Sequence, residues 1–272
     1  MSKLSTTPRI STIPKIIHQT WKTDEIPDKW KPYAASWQQL CKEHGWEYVL
    51  WTDEKNRAFI AEHYPWFLEK YDSYPQNIQR ADAIRYFILY HYGGVYSDLD
   101  IGIQSPERFL QIYNLVKHEK IVLCKSINPV GSQDLTNALS MSQPRQDFWF
   151  VVWDQLFEPF RTRPWKRMMR KSPYFSVLFT TGPSMLSDAC VEAQKRGLKV
   201  HKLPTNYMSQ YPSNDYFVHE QGGSWHGSDA KHWLRMQKLL DHKNAIIISV
   251  LLGLVVSLAI TVTILRSRLA RH

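Results

Sequence analysis

Two aspartates one residue apart, Asp98 and Asp100, close an apolar run that opens with Gly93-Gly94-Val95-Tyr96. Carboxylate oxygens are the ligands that hard divalent cations take. A pair of them at a strand end can hold such an ion against a diphosphate, where it neutralises charge and improves the leaving group. An isolated Asp-x-Asp is common by chance. The segment before it, Gln79-Arg80-Ala81-Asp82-Ala83-Ile84-Arg85, sharpens the signal, because Asp82 and Arg85 lie three apart and share one helix face. Alone, they read as a surface ion pair. Ahead of the glycine pair and the acidic strand end, that face can turn toward the same point, with Arg85 on phosphate or a carboxylate and Asp82 on sugar hydroxyls.

The elements that must position these residues are legible in the periodicity. Residues 13–20 read as a short strand, 30–44 as a helix and 47–51 as an alternating strand, with Asp53 as a cap for the helix that follows. A helix over 58–71 breaks near Pro65. The clearest helix covers 78–92, with Ile84, Phe87, Ile88 and His91 at core spacing, and Gly93-Gly94 ends it. Residues 95–99 then form a buried strand, and 120–125 another. Strands and helices alternating at these lengths predict an α/β fold with a largely parallel, mixed sheet. Ligands in such sheets sit at the carboxyl ends of strands, where Asp98 and Asp100 fall.

The chain has 272 residues, 43% of them hydrophobic and 13% aromatic, enough for a folded core and against global disorder. The net charge of +9 calls for an anionic partner. No nucleic-acid module is present, so no nucleic acid is expected; a diphosphate and anionic lipid are the better candidates. Cys41, Cys124 and Cys190 are far apart and form no CxxC pair, which argues against a zinc site or a disulfide framework. Residues 245–265 contain no charged side chain and match the thickness of a bilayer core, predicting one C-terminal transmembrane helix followed by a basic tail, 266–272. The domain organisation expected is a tail over 1–12, a catalytic domain over 13–240 and this anchor. Met1 to Pro14 contain no apolar run of signal-peptide length. Taken literally, that is a tail anchor with a cytosolic domain. Arg266, Arg268 and Arg271 argue for a cytosolic tail instead, and a missing first anchor is a third reading. Sidedness stays open.

The string Arg80-Ala-Asp-x-x-Arg85 with Gly-Gly-Val-Tyr-x-Asp-x-Asp100 resembles the glycosyltransferases that carry the DXD sugar-binding motif, the group of the fungal initiating α-1,6-mannosyltransferase. Ile13-Pro-Lys-Ile-Ile-His-Gln-Thr-Trp21 is similar to that group's N-terminal signature, and residues 172–186 resemble the fungal inositol phosphorylceramide mannosyltransferases. The resemblance spans about residues 13–233. It implies a GT-A fold, a GDP-mannose donor, Mn²⁺ or Mg²⁺, retention at the anomeric carbon, a membrane sphingolipid acceptor, the Golgi membrane and a regulatory membrane subunit as a candidate partner. It differs at the N-terminus, where such enzymes carry a first anchor. Trp21, beside His18 at the end of the first strand, is implied to stack on the nucleobase; core packing is the plainer alternative. Tyr96, within the motif, joins the expected nucleotide-sugar contacts. Thr181-Gly182-Pro183-Ser184 opens a helix whose backbone amides suit hydroxyls or phosphate. A histidine near Gly223-Ser224-Trp225 is implied to complete the metal shell or to meet the diphosphate, and His219 fits that spacing better than His226. A basic run, Arg161, Arg163, Lys166, Arg167, Arg170 and Lys171, is either a solvated face or a contact for an anionic headgroup layer.

Overall fold

A computed structural model describes residues 12–125, 135–159, 164–204, 216–220, 227–232 and 235–236. The chain divides into two compact units, residues 1–224 and 225–272. In the second, residues 228–232 are helical, with Ala230 buried. In chain order the first unit contains β1 (Ile16–Thr20), α1 (Lys31–His44), β2 (Glu47–Trp51), α2 (Asp53–His63), α3 (Pro65–Asp72), α4 (Asn77–His91), β3 (Gly94–Ser97), β4 (Ile101–Ile103), α5 (Pro106–Val116), β5 (Ile121–Lys125), β6 (Leu135–Ser142) and α6 (Phe148–Phe157). A 3₁₀ helix (Pro164–Lys171), α7 (Pro173–Thr180), α8 (Pro183–Lys195), β7 (His201–Leu203) and β8 (Phe217–His219) follow.

Six strands form one sheet in the order β2-β1-β3-β6-β5-β7, and β4 pairs with β8 in a second. β1 runs parallel to both β2 and β3, and β5 parallel to β7, but β6 is antiparallel to both of its neighbours. The sheet is therefore mixed. The physical reason is the short connection from β5 to β6, residues 126–134, which is below the dozen or so that a parallel crossover needs. Strand alternation builds a helical layer on each face. Val95, Ile17 and Val122 pack with Trp37 and Leu40 of α1 and Phe109 of α5. Tyr96, Ile121 and Leu123 pack with Ile84, Phe87 and Ile88 of α4, Trp149 of α6 and Leu186 of α8. Side chains of β3 thus enter both cores, which fixes the strand that carries the acidic pair.

Helix α4 is buried at every residue from Asp82 to Leu89, which places Asp82 and Arg85 inside the protein. Its start is held by a reciprocal pair in which Gln76 N–H donates to Gln79 Oε1 at 3.2 Å. At its end Gly93 and Gly94 adopt φ of +69° and +89°. A Cβ on Gly93 would lie 2.7 Å from Ser142 O, and one on Gly94 2.7 Å from Ile16 O, so both turn and packing require glycine there. The cap of α2 is Thr52, whose Oγ1 accepts from Lys55 N–H at 3.2 Å; Asp53, expected as the cap, is the first helical residue. Among the described residues no helix is long and apolar enough to cross a membrane. The 245–265 run, Arg161, Arg163 and His226 lie outside the described residues.

Candidate active site

β3 ends at Ser97, and the chain turns at once: Ile101 N–H donates to Asp98 O at 3.1 Å, closing a turn over residues 98–101. Leu99, between the two aspartates, is buried against Trp30 and Ala34. That anchor holds the middle of the motif in the core and leaves a carboxylate on either side of it. Asp98 is further fixed through its backbone, its N–H donating to Ala138 O at 2.8 Å and its carbonyl accepting from Gln19 Nε2 at 3.2 Å. Its side chain is 30% exposed.

Arg85 is the centre of the site. Its side chain is 3% exposed, with Nη2 2.8 Å from Asp82 Oδ1 and Nη1 3.3 Å from Asp98 Oδ1. Nη1 also donates to Asn137 O at 2.7 Å, and Nε to Ala81 O at 3.3 Å. The guanidinium stacks 4.7 Å from the centroid of the Tyr96 ring. Desolvation opposes the charge, but Asp98, Tyr96 and Asp82 outweigh it and raise the guanidinium pKa further. Asp82 accepts from Asn137 Nδ2 at 2.9 Å on Oδ1 and from Thr181 Oγ1 at 3.2 Å on Oδ2. Burial pushes its carboxyl up to about 6, against the pull of Arg85. The i,i+3 pair is therefore an internal ion pair rather than a surface one. It links α4 to β6 through Asn137 and to the start of α8 through Thr181.

Tyr96 is fully buried, and burial holds its phenol protonated, well above the usual range. The hydroxyl donates to Asp98 Oδ1 at 3.0 Å and meets Thr20 Oγ1 at 2.8 Å. Tyr96 and Arg85 thus converge on one oxygen of Asp98. Asp100 lies on the other side of the turn. β8 pairs His219 with Ile101, which brings His219 Nε2 to 3.8 Å from Asp100 Oδ1. Both side chains are mostly buried, at 17% and 18% exposed. The neighbouring Glu220 N–H donates to Asp100 O at 3.1 Å.

Two carboxylates are donors that Mn²⁺ or Mg²⁺ takes, and a neutral imidazole can also ligate Mn²⁺. Donors about 2.1 Å from a shared octahedral cation lie roughly 3–4 Å apart, as Asp100 and His219 do. Among the described residues no three His, Cys, Asp or Glu side chains converge on one point. Asp98, Asp100 and His219 are therefore not gathered into one three-donor cluster; the contact within the set is the one between Asp100 and His219.

The other expected residues fall differently. His18 is buried with both ring nitrogens used: Nε2–H donates to Gly93 O at 3.0 Å, and Nδ1 accepts from Trp51 Nε1–H at 3.1 Å. Desolvation lowers its pKa to about 4, so it is neutral and ties β1 to the glycine turn and to β2, with no nitrogen left for a ligand. Trp21 is half-buried on the cluster of Trp30, Ala34 and Leu99, next to the Asp98 turn. The N–H of Gly182 donates to Val177 O at 2.9 Å, and a Cβ there would meet the same carbonyl at 3.0 Å. Gly182 therefore allows α7 and α8 to pack closely. Asn137, Thr20 and Gln19 also belong to the site. Asn137 leaves no distinct trace in the sequence, because β6 reads LTNALSMS, with the polarity of a loop.

Residues 27–121 match the family described as glycosyltransferase sugar-binding region containing DXD motif. The chain carries a DXD-motif glycosyltransferase domain. Inositol phosphoceramide mannosyltransferase 2 of Schizosaccharomyces pombe is 38% identical over 225 residues, 80% of this chain and 59% of that protein. Mannosyl phosphorylinositol ceramide synthase SUR1 of Saccharomyces cerevisiae is 35% identical over 233 residues, 82% of this chain and 54% of that protein. The initiation-specific alpha-1,6-mannosyltransferase of Saccharomyces cerevisiae is 30% identical over 101 residues, 35% of this chain and 21% of that protein. The chain thus spans between a half and two thirds of the length of the curated mannosyltransferases and synthase it matches over most of its residues. Among solved structures, the catalytic domain of alpha-toxin from Clostridium novyi aligns with a TM-score of 0.47 at 13% identity, over 85% of this chain and 83% of that one.

Proposed function

We propose that this chain is a retaining, metal-dependent mannosyltransferase of GT-A type, which moves mannose from GDP-mannose to the inositol of inositol phosphorylceramide. The observation that carries the reading is the pair of carboxylates on either side of the buried Leu99 anchor, with Asp100 facing His219. Asp98, Asp100 and His219 are the groups that would hold Mn²⁺ or Mg²⁺ on the diphosphate. When bound, the ion supplies charge neutralisation for the departing nucleoside diphosphate. The relatives' names support mannose as the sugar and inositol phosphoceramide as the acceptor.

The protein's own residues do the positioning. Arg85, held protonated in the core, fixes Asp98 and Asp82 relative to each other across β3 and α4. Trp21 lies on the same cluster as Leu99, where an indole face beside the motif suits a nucleobase. The hydroxyls of this network are engaged in positioning: Ser97 Oγ donates to Asp98 O at 3.2 Å, Thr20 Oγ1 meets the Tyr96 hydroxyl, and Thr181 Oγ1 donates to Asp82. A front-face transfer, in which the leaving diphosphate takes the acceptor proton, accords with that arrangement. Attachment to the Golgi membrane through the 245–265 run is part of the same proposal.

The test is a donor and acceptor panel on the full chain: GDP-mannose, UDP-glucose and UDP-galactose, each with inositol phosphorylceramide or an oligomannose glycan. Mannosylated inositol phosphorylceramide from GDP-mannose is the expected product. Transfer only to the glycan, or only from a UDP-sugar, would refute the assignment.

A further inference from the structure

The 3₁₀ helix Pro164–Lys171 has the sequence PWKRMMRK, four cations and no acidic residue in eight positions. Arg167 and Lys171 are exposed, and Met168 beside Arg167 is 84% exposed. A single exposed apolar side chain is ordinary on a protein surface. Met168 is exposed together with Arg167 and Lys171 on the same short helix, and that combination is the chemistry of a bilayer interface: an apolar side chain for the acyl boundary and ammonium or guanidinium groups for lipid phosphates.

The segment is also tied to the candidate active site. Ser172 caps α7, accepting from Phe175 N–H at 3.4 Å. From there α7 lies across the N-terminal end of α4: Gln76 Nε2 donates to Pro173 O at 3.0 Å, and Gln79 Nε2 to Thr180 Oγ1 at 2.8 Å. The next residue, Thr181, donates to Asp82. The cationic helix therefore leads directly into the element that braces Asp82 and Arg85. The chain's own uncharged run at 245–265 is long enough for a bilayer and gives the protein a reason to sit beside one.

We propose that Pro164–Lys171 docks on the surface of an anionic bilayer, with Met168 entering the headgroup–acyl boundary and Arg167 and Lys171 meeting lipid phosphates. Docking there turns the Asp82 end of α4 toward the headgroups, where a lipid acceptor is presented. The purpose of the contact rests on the lipid-acceptor reading; the contact itself does not.

Cys41, Cys124 and Cys190 are all buried, so Met168→Cys provides a selectively reactive thiol. An environment-sensitive fluorophore is attached to it on the full chain, reconstituted into phosphatidylcholine vesicles with or without phosphatidylserine. The expected result is a blue shift and quenching by acyl-chain nitroxide lipids in the anionic vesicles, both reduced by salt. Arg167→Gln with Lys171→Gln on the labelled background lowers the ratio of docked to undocked probe roughly thirtyfold, about fivefold per cation. A water-like spectrum in every vesicle overturns the proposal. So does a shift that ignores lipid charge and grows with protein-to-lipid ratio, which marks a contact between copies of the chain. Mannosyl transfer is measured on the same preparations. Docking without transfer sinks the proposed reaction and leaves the docking surface standing; transfer without docking does the reverse.

Discussion

Tyr96→Phe removes one oxygen from the middle of the site and leaves the ring in place. The hydroxyl makes two contacts, to Asp98 Oδ1 at 3.0 Å and to Thr20 Oγ1 at 2.8 Å. Thr20 is half-buried and can regain a water, so the cost is mainly the hydrogen bond to the carboxylate. Bonds to charged groups contribute about 1.5–3 kcal/mol. In a unit of this size that lowers Tm by about 3–10 °C. Arg85 alone then holds Asp98 Oδ1, and the carboxylate gains freedom to rotate. Partners that orient a metal ligand in this way are worth about 10–100-fold in metal affinity. The assay is a titration of Mn²⁺ in the presence of GDP, followed by the EPR signal of the free ion, with a circular-dichroism melt on the same sample. A lowered Tm with unchanged Mn²⁺ affinity would refute the claim that Tyr96 orients Asp98 for a cation. Thr20→Val, one bond further out, is expected to reproduce the effect weakly.

Three further outcomes are expected. His18 has a folded pKa lowered to about 4 from an ordinary 6.5, so the unfolded state binds the extra proton between those values. Its contribution, on the order of 3 kcal/mol, is present above pH 6.5 and lost as pH falls toward 4. His18→Gln, which keeps a donor and an acceptor, should narrow the gap in urea-unfolding free energy between pH 7 and pH 4.5; an unchanged gap places the acid lability elsewhere. Arg85→Leu leaves two carboxylates facing each other in a buried site and should cost about 3–5 kcal/mol in chemical denaturation, with a loss near zero marking the ion pair as dispensable. Trp21→Ala should weaken GDP binding by calorimetry by roughly 1–3 kcal/mol with a smaller effect on folding, and an unchanged Kd would return the indole to a packing role.

Much of this architecture could be read from residue types. The helix before the glycine pair, the pair itself and the strand after it each carry an unambiguous local signature, and the structure places them within a residue or two of expectation. The cap of α2 differs by one position because Thr52 and Asp53 are both capping types, and only the extended backbone of Thr52 separates them. β6 was illegible for a different reason. Asn137, Ser140 and Ser142 give it the polarity of a loop, yet all three are buried. Asn137 is satisfied by Asp82, 55 residues away, and Ser142 by the indole of Trp149 on the helix that follows. His18 shows the same limit. Expected at a strand end, His18 is the central residue of β1, and Gly93 and Trp51 take both of its nitrogens. Arg85 was expected on phosphate or on a carboxylate; burial puts it on two carboxylates at once.

Mannose transfer by the full chain, measured in EDTA and again after Mn²⁺ is restored, tests the central claim most directly. Wild type should be inactive in EDTA and recover with Mn²⁺, whereas Asp98→Asn and Asp100→Asn should stay inactive in both while melting as folded proteins. Undiminished transfer in EDTA, or full activity in either variant, would contradict the account.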